Sequence, residues 1–118
     1  MQDFDLVIRG GTVVTAADSA RADVGVRDGK IVAIGLELDP GRREIDATGL
    51  HVMPGGIDSH VHLAQPAFGG PAMADGFESG TRSAIAGGNT TVIPFALQSR
   101  GMSLRQAVTD YHAEAEGQ

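Results

Sequence analysis

The sequence predicts an α/β chain in two parts: a small antiparallel β unit over residues 1–53 and two β/α units over residues 54–118. Three observations carry this reading. Short β-rich runs separated by turn signals fill the first part. Strand and helix patterns alternate in the second, which argues for a parallel sheet with crossover helices. Of the 17 glycines, several are paired, at 10–11, 55–56, 69–70 and 87–88, and they punctuate the segments without any fixed period.

The first element alternates Phe4, Leu6 and Ile8 with Asp5, Val7 and Arg9, and Gly10-Gly11 reads as a turn into Thr12–Thr15. Asp28-Gly29 between Asp23–Arg27 and Lys30–Ile34 is a hairpin signal, because a type I′ turn needs two residues that tolerate positive φ. Pro40-Gly41 marks another turn, and Ile45 and Leu50–Met53 read as short closing strands. Beyond Pro54, Gly55–His62 reads as a strand with a polar end, followed by a Gly/Pro/Ala-rich loop over 64–74. Asp75 with Glu78 fits a capping box. Phe77, Thr81, Ala84 and Ile85 then share one helical face, and Gly87-Gly88 stops the helix. Asn89–Ala96 reads as a second strand, with Pro94 weighing mildly against it. Ser103 with Gln106 opens a second helix whose stripe is Leu104, Ala107, Val108 and Tyr111.

Composition excludes several classes of function. At 118 residues the chain is too short for a closed eight-stranded α/β barrel, which takes roughly 250. A net charge of −6 argues against a general nucleic-acid or anionic-membrane binder. Without cysteine there are no disulfides, thiolate ligands or cysteine nucleophile. The acidic N-terminus lacks a signal-peptide pattern and no run reaches 18 apolar residues, so a cytoplasmic location is expected. Ser79, Ser83 and Thr90 have no histidine–acid arrangement of a serine hydrolase. Gly69-Gly70 lacks the Gly-Lys-Ser/Thr or G-x-G-x-x-G context of a phosphate loop.

The chemistry sits at Asp58, His60 and His62. Their i, i+2, i+4 spacing on a strand puts all three on one face. Two imidazoles so placed can ligate one divalent metal, and zinc suits nitrogen donors. Asp58 would then fix a histidine tautomer from outside the ligand set. A bare His-x-His also describes two solvated histidines near a strand end. Here the pair ends a strand, precedes a glycine-rich loop and opens a β/α series, which is where catalytic groups of β/α barrels lie.

The string Met53-Pro54-Gly55-Gly56-Ile57-Asp58-Ser59-His60-Val61-His62-Leu63 resembles the first-strand signature of the amidohydrolase superfamily. The hairpin Asp28-Gly29-Lys30-Ile31 resembles that superfamily's N-terminal β-sandwich. Asp75–Ala84 and Gly87-Gly88-Asn89-Thr90-Thr91 are most similar to the hydantoinase and dihydropyrimidinase branch. The resemblance covers essentially the whole chain. It implies an N-terminal fragment: part of a β-sandwich over 1–53, then the first two β/α units of a metal-dependent (β/α)8 (TIM-like) barrel over 54–118.

It further implies a two-metal hydrolase, usually with zinc, that opens the ring amide of a hydantoin or dihydropyrimidine, and a homotetramer. His60 and His62 match two ligands of the first metal. The carboxylated lysine, two further histidines and the catalytic aspartate of the family have no counterpart here, and neither Lys30, His51 nor His112 fills those positions. The isolated chain is therefore expected to be inactive, and its open β/α edge to aggregate, oligomerise or need a remainder. Dihydroorotase and allantoinase usually carry Arg just after the histidine pair, where this chain has Ala64, which disfavours an acidic substrate. Phe68 would line an apolar substrate pocket or simply anchor its loop. The loop 64–74 is about one residue longer than the family pattern, and the family's Asp-Asp-Phe reads Asp75-Gly76-Phe77. The competing readings are a non-catalytic truncated or structural module of the same family and an allantoinase- or dihydroorotase-like enzyme.

Overall fold

The computed structural model describes residues 3–65 and 73–118. They fall into two compact units that divide between Pro54 and Gly55.

The first unit is a five-stranded sheet made of β1 (Phe4–Val14), β2 (Ser19–Arg27), β3 (Lys30–Gly35), β4 (Gly41–Asp46) and β5 (His51–Val52). Its order is β3-β2-β1-β4, with β5 also paired to β1. The expected hairpin is present: Asp28 and Gly29 both have positive φ, 51° and 71°, and join β2 to β3. Two expectations are corrected. Gly10-Gly11 is no turn, because β1 runs straight through it with a bulge between Ile8 and Gly11 and with Gly10 at φ 67°. The unit is also not purely antiparallel, since β4 and β5 both run parallel to β1.

The physical reason lies in the link between β3 and β4. Leu38 donates its amide to Asp23 Oδ2 at 3.2 Å, and Arg9 Nη1 donates to the Leu38 carbonyl at 2.8 Å. The link is thus held against β2 and β1 and carried to the far edge of β1, so β4 enters alongside β1 and does not fold back on β3. Asp23 is buried and anchors this arrangement, accepting also from the Gly10 amide (2.8 Å) and Arg9 Nη1 (2.9 Å). A carboxylate holding three donors is strongly favoured in its charged form. The Gly10 amide bond, helped by Arg9 and Leu38, keeps its pKa below the ordinary value despite the opposing effect of burial. Val13, Ala22 and Val24 form the apolar cluster, with Ile8, Val26 and Val52 packed on it. Among the described residues, Phe4 and Val7 have essentially no exposure.

The second unit is a β-α-β-α segment: β6 (Gly56–Val61), α1 (Phe77–Ala86), β7 (Asn89–Pro94) and α2 (Leu104–Ala115). β6 and β7 are parallel, as the alternating pattern predicts. The first helix begins one residue later than expected. Its N-cap is Gly76, and Ser79 Oγ accepts the Gly76 amide while donating to Asp75 Oδ1, both at 3.1 Å. Ser79 supplies what was expected of Glu78, which instead pairs with Arg82 at 2.6 Å. Ser103 caps α2 by accepting the Gln106 amide at 3.1 Å, while the Gln106 side chain donates to Asp110.

Both helices are tied to the segment after β6. Tyr111 donates its hydroxyl to the Leu63 carbonyl at 2.6 Å and meets the Phe77 ring edge-on at 5.0 Å. Gly80 faces Leu63 so closely that a Cβ there would lie 2.3 Å from Leu63 Cδ2. The expected helical stripes are only half used: Ala107 is buried, but Ile85, Leu104 and Val108 remain exposed. No helix among the described residues is long and apolar enough to cross a membrane.

Candidate functional site

The site is built at the C-terminal ends of β6 and β7. Strand ends suit such a role because the parallel ladder fixes the backbone while the last side chains project beyond it. β6 delivers His60 and, just past its end, His62; β7 delivers Phe95, just past its own end. The two imidazole centroids lie 5.5 Å apart with their planes tilted by 50°. Phe95 meets both rings, His60 edge-on at 4.6 Å and His62 stacked at 5.0 Å. Both histidines remain exposed on their other sides.

The separation of the rings is one condition that a shared ion sets. A tetrahedral zinc about 2.0–2.1 Å from each donor nitrogen sets two ligating rings about 5 Å apart, centroid to centroid. The observed pair meets that condition, and imidazole is a donor that zinc accepts readily. Among the described residues, no group of three or more His, Cys, Asp or Glu could hold a metal ion. The described residues thus bring together the two imidazoles without a third such side chain.

Asp58 is placed differently from the simple alternation. β6 carries an irregularity: Asp58 pairs with Val92 and Val61 with Pro94, three steps on one strand against two on the other. Across this bulge Asp58 Oδ1 accepts the backbone amide of His60 at 3.0 Å. The partner of an imidazole is Gln65. Its Oε1 lies 2.6 Å from His62 Nδ1, and its Nε2 donates to the Phe95 carbonyl at 2.8 Å. Gln65 is buried.

Sequence reasoning assigned no role to Gln65 or Phe95. For Phe95 a signal existed, since the strand-end rule that selects His62 on β6 selects the residue after Pro94 on β7. For Gln65, three residues after His62, nothing in its neighbourhood distinguishes it from a loop residue. Phe68 lies outside the described residues. His51 sits in β5 of the first unit, and His112 lies on the exposed side of α2.

No family model matches the chain. It is 48% identical over 117 residues to the D-hydantoinase of Streptomyces coelicolor, covering 94% of this chain and 25% of that protein. Against the allantoinase of Rubrobacter xylanophilus it is 50% identical over 100 residues, or 84% of this chain and 21% of that one. A solved D-hydantoinase structure superposes with a TM-score of 0.88 at 46% identity, covering 95% of this chain and 24% of the other. A Bordetella bronchiseptica N-acyl-D-glutamate deacylase, solved with zinc and a phosphonate inhibitor mimicking the tetrahedral intermediate, gives 0.59 at 39% identity over 77% of this chain and 18% of that one. The chain thus spans about a quarter of the length of the relatives it matches, and its sheets match the N-terminal region of hydantoinase structures.

Proposed function

We propose that this chain, a homologue of the N-terminal region of the D-hydantoinases, supplies the first metal-binding strand end of a hydrolase that cleaves cyclic amide C–N bonds. In this reading residues 1–53 contribute to a β-sandwich. Residues 54–118 form the first two β/α units of a (β/α)8 barrel. His60 and His62 hold a divalent metal, zinc, with hydantoins or dihydropyrimidines as the substrate class. The observation that carries it is the pair of imidazoles 5.5 Å apart at the end of β6, packed on Phe95.

Zinc bound there would lower the pKa of a coordinated water towards about 7 and polarise the ring carbonyl. The chain's own residues do the rest of the work at this strand end. Phe95 covers one side of both imidazoles, which restricts their rotation and leaves the opposite side open. The β6–β7 ladder fixes the backbone from which they project. A catalytic zinc normally has three protein ligands, so two imidazoles hold it weakly and the isolated chain opens no ring. A cytoplasmic homotetramer belongs to the same reading for the whole protein.

The allantoinase likeness makes a ureide ring the second candidate substrate. Ala64, where an arginine would pair with an acidic or polar ring, favours the hydantoin class. Calorimetric titration of the chain with zinc chloride tests the metal reading. One weak site is expected, lost in His60→Ala and in His62→Ala. Binding unchanged in both variants, or no binding at all, overturns it.

A further inference from the structure

We infer that Gln65 is the positioning residue for His62. It holds that imidazole in the tautomer with the proton on Nδ1 and leaves Nε2 as the nitrogen free to ligate. The inference rests on a closed chain of donors and acceptors. The Phe95 carbonyl can only accept, so the Gln65 atom 2.8 Å from it must be the amide nitrogen. That fixes the orientation of the amide, which an isolated glutamine would leave open. The other atom, 2.6 Å from His62 Nδ1, is then the oxygen, and an amide oxygen can only accept. His62 must therefore donate from Nδ1, and its lone pair lies on Nε2.

The surroundings make this lock effective. Gln65 is 8% exposed, so water competes poorly for either end of its amide. Breaking the bond would leave a buried polar group unpaired, which is costly. The same amide also joins the end of β6 to the end of β7, because the Phe95 carbonyl belongs to the residue whose ring stacks on His62 at 5.0 Å. Tautomer and ring plane are thus set together from one side chain. Partners of this kind on metal-binding histidines are usually carboxylates, backbone carbonyls or water. Here a neutral amide does the job, and Asp58, the carboxylate nearest in sequence, is engaged by the His60 amide.

The role as a positioning residue for ligation rests on the metal reading above; the tautomer does not, and the experiment separates them. Long-range proton–nitrogen correlation spectra of the 15N-labelled chain without metal, at a pH well above about 6.5 where imidazole is neutral, report which nitrogen carries the proton. His62 is expected to show a protonated Nδ1 and a bare Nε2. Gln65→Met removes the acceptor at similar volume and should release His62 to a mixture rich in the Nε2–H form. Gln65→Glu keeps an acceptor and should retain the Nδ1–H form. Zinc affinity should fall about tenfold or more in Gln65→Met and less in Gln65→Glu. An Nε2–H tautomer in the unsubstituted chain overturns the inference and needs no variant to fold. A spectrum unchanged in a folded Gln65→Met chain overturns it as well. A protonated Nδ1 in a chain that binds no zinc sinks the metal reading and supports the lock.

Discussion

Replacing Gly25 by Ala should destabilise the N-terminal sheet through one aromatic ring. A Cβ built on Gly25 would lie 2.5 Å from Phe4 Cε1, 2.8 Å from Cδ1 and 2.9 Å from Cζ. Carbon atoms pack best at about 3.5–4.0 Å, so the ring would have to retreat by about 1 Å. Phe4 is 1% exposed and Val7, the cross-strand partner of Gly25, 0%, which leaves the ring no solvent to move into. Overpacking of this kind costs about 1–3 kcal/mol. Loss of chain freedom in the unfolded state returns about 0.4–1 kcal/mol for Gly→Ala. The net expectation is a loss of about 1–2 kcal/mol.

The cause can be isolated with a second change. Phe4→Leu shortens the offending group and by itself loses buried apolar surface. Combined with Gly25→Ala, the new methyl fills part of the space that the ring vacated. The double variant should then be more stable than the sum of the single losses by about 1 kcal/mol or more. Urea unfolding of all four chains, followed by far-ultraviolet circular dichroism at one protein concentration, measures this. Additive losses, or a Gly25→Ala midpoint equal to that of the parent, would refute the argument that the ring is what excludes a side chain.

The remaining expectations concern protons. Asp23 is held below its ordinary pKa of 3.8, chiefly by the Gly10 amide. The folded state therefore binds its proton less readily than the unfolded chain, and its stabilising contribution, present above the unfolded value, fades as pH falls below about 3.8. Asp46, bonded to Thr48, is also held low and shares the window, while Glu44, bonded to Arg9 and likewise held low, begins to lose its contribution as pH falls below about 4.5. Asp23→Asn should flatten the acid loss without abolishing it, while costing about 1–3 kcal/mol at neutral pH; urea midpoints that fall equally with pH in both chains would count against this. Tyr111 is the single tyrosine of the sequence. Burial, with a smaller push from Glu114, raises its pKa above 10.0. The midpoint of the phenolate absorbance rise should therefore lie above that pH, and a midpoint at or below it would contradict the packing described. Tyr111→Phe should lower stability by about 0.5–1.5 kcal/mol through the lost bond to the Leu63 carbonyl, read as a lower thermal midpoint.

The parts of the fold that sequence reasoning anticipated are those fixed by near neighbours. Asp28-Gly29 works as a hairpin because the positive φ values it needs are a property of those two residues alone. Gly10-Gly11 misled because a glycine doublet permits both a turn and a bulge. The choice between them is made by distant partners. Arg21 and Ala22 lie on one side of β1, and Ala47 and Val52 sit so close to Gly11 that its added Cβ would be 2.6 Å from Val52 Cγ2. The parallel β4 was equally out of reach. It follows from Arg9 and Asp23 capturing a link up to 30 positions away, and no periodicity in residues 36–40 announces that.

The site divides along the same line. A period of two selects His60 and His62 and correctly brings their rings together, yet it says nothing about which nitrogen of either ring is presented. That choice belongs to hydrogen bonds, and strict alternation would give it to Asp58. The bulge between Asp58 and Val61 intervenes: one extra residue on β6 lets the Asp58 carboxylate accept the His60 amide. The His62 ring takes its partner from elsewhere, Gln65. The one it has is anchored on Phe95, 30 residues from Gln65. A motif of closely spaced residues can thus bring two imidazoles together, while the side chain that bonds one of them is fixed where two strand ends meet.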